Sequence, residues 1–379
     1  MSEMRILHVV GRMGQGGAET WLMNVLRHID RDRFHFDFLV HRTRPGEFDD
    51  EIRSLGSAIH IIDSYRNPPR YAAALLSLLA RHPCHAIHSH VNFYSGYILG
   101  LAKLLGIPGR IAHSHTNVPT AGDSPWRTVY RHTMRAALHA TATCGLGTSS
   151  AAVRALFGPD WQTWGKYAVL PIGYDFARFA HIGPETRTAT RRALGLADSH
   201  VVIGHIGRFV PAKNHEFLVD LARASQARGR RDHRFVLVGD GERRSDIERA
   251  VHARGLAHSC LFTGQRRDIA ELLSAFDVLV LPSLWEGFGI VVLEAQAAGL
   301  PCVISDRVSG EVIVRDDLVV RRPLGRVDAW LDALDEMRAR RVSSPERAWT
   351  VMAASQFGIE RHVQRIECIY TSELARTTA

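Results

Sequence analysis

Apolar residues in this chain fall into short continuous runs, separated by longer stretches in which they recur every three or four positions. Runs at 6–10, 34–40, 59–62, 86–89, 110–112, 141–144 and 169–170 have the length and β-branched content of buried strands. The stretches 18–29, 47–55, 71–81, 94–105 and 126–139 carry the helical period and predict amphipathic helices between them. Strand and helix in alternation predict a mainly parallel sheet covered on both faces. From Pro171 to about Ser199 glycine, proline and scattered charge break the rhythm, and a second series then begins. It has strand runs at 201–207, 235–238, 261–262, 277–281 and 302–305, with helical stretches at 216–227, 243–253, 269–275 and 290–298. A polar, helix-prone tail follows from Val327. The fold class predicted is α/β, with two doubly wound domains facing a central cleft and ligands at the carboxyl ends of the strands. The boundaries read as an N-terminal domain over 1–172, a linker over 173–198 and a C-terminal domain over 199–355. A C-terminal helix over 356–379 is expected to pack back on the N-terminal domain.

Composition narrows the class. A chain of 379 residues, 46 % hydrophobic and 23 % charged, is ordinary for a two-domain globular protein. No apolar run approaches the roughly 18 residues that span a bilayer, and Met1-Ser2-Glu3-Met4-Arg5 leads straight into a strand without a secretory signal. Cys84, Cys144, Cys260, Cys302 and Cys368 are odd in number and scattered, spelling neither a disulfide frame nor a metal site. A cytoplasmic location is therefore expected. The formal net charge of +8 suits anionic substrates, an anionic membrane face or nucleic acid. No basic-aromatic stacking motif, zinc finger or helix-turn-helix pattern accompanies it, so no nucleic-acid partner is expected.

The most informative stretch is Glu286-Gly287-Phe288-Gly289-Ile290-Val291-Val292-Leu293-Glu294. It follows a strand closed by Pro282-Ser283 and opens an alanine-rich helix, so first-turn amides are free to bind an anion. With the helix starting near Phe288, Glu294 lies roughly 9 Å along it and Glu286 precedes it. One acid then stands at each end of a phosphate-sized gap, which is the layout of a sugar nucleotide. A bare pair of acids at this spacing more often means a surface acid and a helix acid; the neighbouring motifs decide otherwise. Gly207-Arg208 with Lys213-Asn214 places a forked donor and a mobile ammonium on one loop, suited to a diphosphate. Gly11 to Gly17 follows the first strand, but Glu19 stands where a dinucleotide fingerprint needs glycine. Val238-Gly239-Asp240-Gly241 reads as a structural turn. His113-Ser114-His115 ends a strand, where a histidine can bind a sugar hydroxyl or polarise a reacting group, while His88-Ser89-His90 reads as structural. Asp30-Arg31-Asp32 matches an Asp-x-Asp metal pattern but follows a helix without a preceding apolar strand, and no metal site is expected.

In order along the chain, these segments resemble the family 4 retaining glycosyltransferases of bacterial exopolysaccharide and capsule synthesis. The likeness rests on the early glycine loop, Gly207-Arg208 with Lys213-Asn214, Val238-Gly239-Asp240-Gly241, Leu281-Pro282-Ser283, Glu286-Gly287-Phe288-Gly289 with Glu294-Ala295, and Ala298-Gly299-Leu300-Pro301. It implies the GT-B fold, two Rossmann-like domains, and transfer of a sugar from a nucleotide sugar to an acceptor hydroxyl with retained configuration. A UDP-sugar is the commonest donor in the family, with GDP- and ADP-sugars open. By the resemblance Arg208 and Lys213 bind the donor diphosphate, and Glu294 binds the ribose. Glu286, Gly287, Phe288, Gly289 and Ile290 hold sugar hydroxyls and phosphate. Gly16 or Gly17 approaches the phosphate from the other domain, and His113 or His115 contacts the transferred sugar. Gly264 to Arg267, Arg266 included, frame the base, and Glu311 after Ser309-Gly310 matches an acid near the donor loop. Ile172 and Ser309 depart from the family's usual Asn and Gly. No cofactor or divalent metal is implied, the nucleotide sugar being a substrate. The implied acceptor is a glycan or lipid-linked glycan, reached by peripheral contact with the anionic cytoplasmic face of the inner membrane. No motif fixes the oligomeric state. A sugar-nucleotide epimerase or a non-catalytic nucleotide-sugar-binding protein on the same fold is the alternative.

Overall fold

The computed structural model describes residues 3–14, 16–115, 124–286, 288–342 and 345–375. They form two compact units, one of 1–174 with 356–379 and the other of 175–355. The first holds a seven-stranded sheet ordered β3-β2-β1-β4-β5-β6-β7. Its strands are β1 (Met4–Val10), β2 (Phe34–Val40), β3 (Ile59–Ile61), β4 (Ala86–Ser89), β5 (Gly109–Ser114), β6 (Cys144–Gly147) and β7 (Tyr167–Val169). All six pairings are parallel. The order reverses between β1 and β4, so their carboxyl ends flank a switch point where side chains and ligands gather.

The second unit holds a six-stranded parallel sheet ordered β10-β9-β8-β11-β12-β13. These are β8 (Val201–Ile206), β9 (His233–Val238), β10 (Cys260–Gly264), β11 (Val278–Leu281), β12 (Cys302–Ser305) and β13 (Val319–Arg322). Here the reversal falls between β8 and β11. Both strands are almost wholly buried, as the continuous apolar runs require.

Three features differ from the sequence reading. The run at 141–144 is not a strand: the helix Pro125–Thr141 runs through its start, and β6 begins only at Cys144. Residues 175–198 are not a free connection but part of the second unit, with a helix at Pro184–Ala193. That helix is anchored by two arginines that converge on one acid. Arg187 Nη2 donates to Asp277 Oδ1 at 2.5 Å, and Arg191 Nη2 to Asp277 Oδ2 at 2.7 Å. The same Oδ2 accepts the Val202 amide at 2.7 Å, which ties the helix to the start of β8. Finally, the helix after Glu286 starts at Ile290, two residues beyond Phe288.

The helix Ile359–Ala375 belongs to the first unit. Buried Trp21 donates its indole N–H to His362 Nε2 at 2.7 Å, and buried Tyr370 meets His88 Nδ1 at 2.9 Å. Tyr370 also packs against Phe34 and Phe36, so this late segment completes the core laid down by β1 and β2.

Candidate active site

In the second unit the carboxyl ends of β8 and β11 lie side by side and each runs into a loop and a helix. After β8 the chain passes Gly207, a short 3-10 turn Pro211–Lys213 and then Asn214, whose φ of 53° turns the backbone into the helix His215–Ala227. The Asn214 side-chain Nδ2 donates to the Pro282 carbonyl at 3.1 Å, and the Leu284 N–H to the Ala212 carbonyl at 2.8 Å. These two bonds stitch the lysine loop to the loop after β11. Lys213 then forms a hydrogen-bonded ion pair with Glu286 Oε1, which also accepts the Ser283 hydroxyl at 2.7 Å. The lysine stem crosses the backbone at Gly207, where a Cβ would stand 3.2 Å from its Cδ and Cε. Only 18 % of the Lys213 side chain and 10 % of that of Glu286 is exposed, so this is a sheltered pair rather than a surface one.

The rest of the donor-type motif is arranged around it. Arg208 is exposed and has no ion-pair partner among the described residues. Gly239, at φ 134°, lies under the loop: a Cβ there would come within 2.1 Å of the Gly207 carbonyl oxygen, so only glycine lets β8 and β9 turn so closely. Gly289 takes φ 84° and directs the chain into the helix Ile290–Ala297. The Val292 amide closes on the Gly289 carbonyl at 2.9 Å, and the amides of Ile290 and Val291 stand in the first turn of the helix. Phe288 is buried beneath this turn, and Glu294, one turn on, is 9 % exposed. Gly287 lies outside the described residues.

The base-framing segment is at the end of β10. Gly264 has φ 72°, and its carbonyl accepts the Gly239 amide at 2.9 Å. The Arg266 guanidinium is engaged in a fork with Asp268, Nε to Oδ1 at 2.7 Å, and that bond holds the Asp268 carboxyl below its ordinary range. Three contributors had no role assigned to them from the sequence. His205 donates from Nδ1 to the Val280 carbonyl at 2.9 Å, leaving its buried Nε2 bare close to Gly207; burial keeps this ring neutral by pushing its pKa far down. Buried Gln296 donates to the carbonyls of Val292 and Val312 and accepts from the amides of Val314 and Arg315, all at 2.9–3.0 Å. It thereby fixes the segment after Glu311 to the helix that carries Glu294. Ser283 is the third, through its bond to Glu286.

In the first unit Gly16 caps the helix Gly17–His28, and the Glu19 carboxylate folds back over it: a Cβ on Gly16 would lie 2.2 Å from Oε2. His113 is buried at the end of β5 and His115 follows it, their ring centroids 4.2 Å apart. His88 and His90, read as structural from sequence, join them directly, His88 Nε2 at 3.3 Å from His113 Nδ1 and His90 Nδ1 at 2.9 Å from His115 Nε2. Desolvation depresses all of these pKa values, that of His115 to about 3. They are neutral rings at physiological pH, able to hydrogen-bond but not to supply charge.

Two parallel Rossmann-like sheets, each with a switch point in its strand order, are the architecture of the GT-B fold, and comparison with known proteins agrees. Residues 16–173 match the model described as a glycosyl transferase 4-like domain, and residues 186–341 the model for glycosyl transferases group 1. EpsF of Bacillus subtilis (strain 168), which carries a glycosyltransferase designation, is 36 % identical over 95 % of this chain and 94 % of its own length. The Escherichia coli UDP-Gal:alpha-D-GlcNAc-diphosphoundecaprenol alpha-1,3-galactosyltransferase is 31 % identical over 54 % of each chain. Among solved structures, Anabaena HepE in complex with UDP-glucose superposes with a TM-score of 0.80 at 19 % identity, covering 98 % of this chain and all of HepE. The chain belongs to the family 4 glycosyltransferases of GT-B fold, enzymes of polysaccharide biosynthesis.

Proposed function

We propose that this enzyme transfers a sugar, with retained configuration, from a UDP-sugar to a hydroxyl of a lipid-linked glycan. The carrying observation is the sheltered Lys213–Glu286 pair, held on two stitched loops beside an unpaired Arg208 and a helix start. Lys213 keeps two of its three N–H donors for the diphosphate while Glu286 holds it in place and accepts from sugar hydroxyls. Arg208 and the amides of Ile290 and Val291 add positive potential, so leaving-group charge is met without a divalent cation. In the reaction the bond from the anomeric carbon to the phosphate oxygen breaks and a bond to the acceptor oxygen forms on the same face. The acceptor proton passes to the departing diphosphate. Glu294 takes the ribose hydroxyls, Gly264 and Arg266 frame the base, and His113 or His115 contacts the sugar. The HepE complex with UDP-glucose and the diphosphoundecaprenol acceptor in the E. coli relative's name support the donor and acceptor classes. A screen of UDP-, GDP- and ADP-sugars for thermal stabilisation, followed by assay on lipid-linked acceptors, tests this. A UDP-sugar should raise Tm most and be consumed only when acceptor is present. Conversion of the donor alone would instead establish an epimerase, and no stabilisation by any of them would remove the donor site.

The acceptor class also calls for contact with a membrane surface. No helix of the described residues is long and apolar enough to cross one. The first half of the helix Pro125–Thr141 carries exposed Trp126 (83 %), Val129 and Tyr130 among Arg127 and Arg131. Aromatic and basic side chains mixed on one exposed helix suit the headgroup region of an anionic leaflet at the cytoplasmic face. Vesicles containing about 30 % phosphatidylglycerol should bring the protein up in flotation and neutral vesicles should not. The Trp126→Glu/Val129→Glu variant should stay behind with both; flotation equal to wild type would exclude this surface.

A further inference from the structure

The histidines of the first unit form two hydrogen-bonded chains that meet at one phenol. In the first, the Tyr370 hydroxyl lies 2.9 Å from His88 Nδ1, and His88 Nε2 lies 3.3 Å from His113 Nδ1. In the second, the same hydroxyl is 3.5 Å from His8 Nε2, His8 Nδ1 is 3.0 Å from His90 Nε2, and His90 Nδ1 is 2.9 Å from His115 Nε2. Each chain ends on a buried ring nitrogen with no partner among the described residues, Nε2 of His113 and Nδ1 of His115.

A neutral imidazole carries one proton, so a ring that accepts at one nitrogen must donate at the other. Polarity therefore propagates unchanged from ring to ring. The phenol has a single proton as well, and if it donates into one chain it accepts from the other. A phenol oxygen donates better than it accepts, its lone pairs being shared with the ring, so the shorter contact, to His88, is the one it donates. The consequence is fixed for all five rings. His88 passes its Nε2 proton to His113, leaving His113 with its own proton on the free Nε2. His8 donates to the phenol, His90 to His8 and His115 to His90, leaving His115 with a bare Nδ1.

We propose that Tyr370, with His8, His88 and His90, fixes His113 and His115 as Nε2–H tautomers, so that one offers a proton donor and the other a bare acceptor to a ligand hydroxyl. This rests on the reading that the strand-end histidines meet the transferred sugar. A sugar hydroxyl both gives and takes a hydrogen bond, and an unfilled buried donor or acceptor is costly, so such a ligand relieves what the free protein leaves unmet. Tyr370 and the three inner histidines are positioning residues here. Burial keeps all five rings uncharged, as the argument requires.

The same nitrogens include two triads, His8-His88-His90 and His90-His113-His115, close enough to hold a metal ion. Three imidazoles on one tetrahedral zinc keep their nitrogens about 3.3 Å apart. Here the close pairs at 2.9–3.0 Å are donor–acceptor contacts, and the hydrogen-bonded reading is favoured.

Long-range proton–nitrogen correlation of the histidine-labelled protein at pH 7.5 reads each tautomer directly. His8, His88, His90, His113 and His115 should all appear as Nε2–H. His362 is a built-in control of opposite sense, since Trp21 donates to its Nε2 and its proton must sit on Nδ1. Tyr370→Phe keeps the ring that packs on Phe34 and Phe36 but uncouples the chains, so their five signals should become tautomer mixtures. KM for the donor sugar should then rise about tenfold with a smaller change in kcat, the size of one lost hydrogen bond. Wild-type spectra with His113 or His115 as Nδ1–H, a Tyr370→Phe spectrum unchanged from wild type, or one zinc per chain on metal analysis would each overturn the proposal; the wild-type spectrum decides even where the variant does not fold. Altered tautomers with an unchanged KM would overturn the ligand contact while leaving the relay. Failure of every nucleotide sugar to react in the wild-type protein would count against the proposed reaction and leave the spectra unaffected.

Discussion

Lys213→Ala should lower kcat by about 10²- to 10³-fold, the usual cost of removing one preorganised donor to a developing anion. The ammonium is the sheltered cation of the site, and its removal leaves Glu286 with the Ser283 hydroxyl as its remaining partner among the described residues. An uncompensated carboxylate then faces the incoming diphosphate, so KM should rise along with the fall in kcat. Lys213→Ala/Glu286→Ala removes that repulsion and should recover part of the KM loss but none of the kcat loss. Arg208→Ala should be milder, since an exposed unpaired guanidinium acts in a higher dielectric. Steady-state kinetics on the three variants separates these cases. Turnover near wild type in Lys213→Ala would show that leaving-group charge is met elsewhere.

Acidification should unfold the first unit before it unfolds most carboxylate-stabilised proteins. Burial lowers the pKa of His8, His115 and His362 from the ordinary 6.5 to about 3, and pushes His88, His90 and His113 down as well. Folded-state values lie below unfolded ones, so the unfolded chain binds more protons once pH drops under 6.5. Stability is therefore complete above that pH and declines below it. Each such histidine contributes a loss of about 1.4 kcal/mol by pH 5.5, or about 4 kcal/mol for the three named first, against a typical total of about 5–15 kcal/mol. Urea midpoints at pH 7.5 and 5.5 measure the loss. Hydrogen exchange, corrected for its intrinsic pH dependence, should show β1, β4 and β5 losing protection first. Equal midpoints would mean that these rings gain protons in place without opening the core.

Much of this was legible in the chain because buried parallel strands are apolar without interruption. β1, β2, β4, β8, β9, β11 and β12 all stand where such runs stand. The donor-type loops were legible for another reason: glycine, proline and charge at fixed offsets mark a strand ending in a turn before a helix. What was missed had its physics turned inward. Arg187 and Arg191 look like solvated charge on a polar helix, yet Arg191 is 4 % exposed and both close on Asp277. Gln296 sits in an alanine-rich run and reads as filler, because its three hydrogen bonds to distant backbone leave no local pattern. His88 and His90 looked bland taken singly; parallel pairing of β4 with β5 makes them part of one network.

The return of Ile359–Ala375 to the first unit sets an order of events during synthesis. Residues 175–355 form one contiguous stretch and can close their core as soon as they leave the ribosome. The half that emerges earliest must wait, with Trp21 and His88 lacking His362 and Tyr370, until the last stretch arrives. What is translated first is finished last, and its apolar sheet stays open for the whole interval.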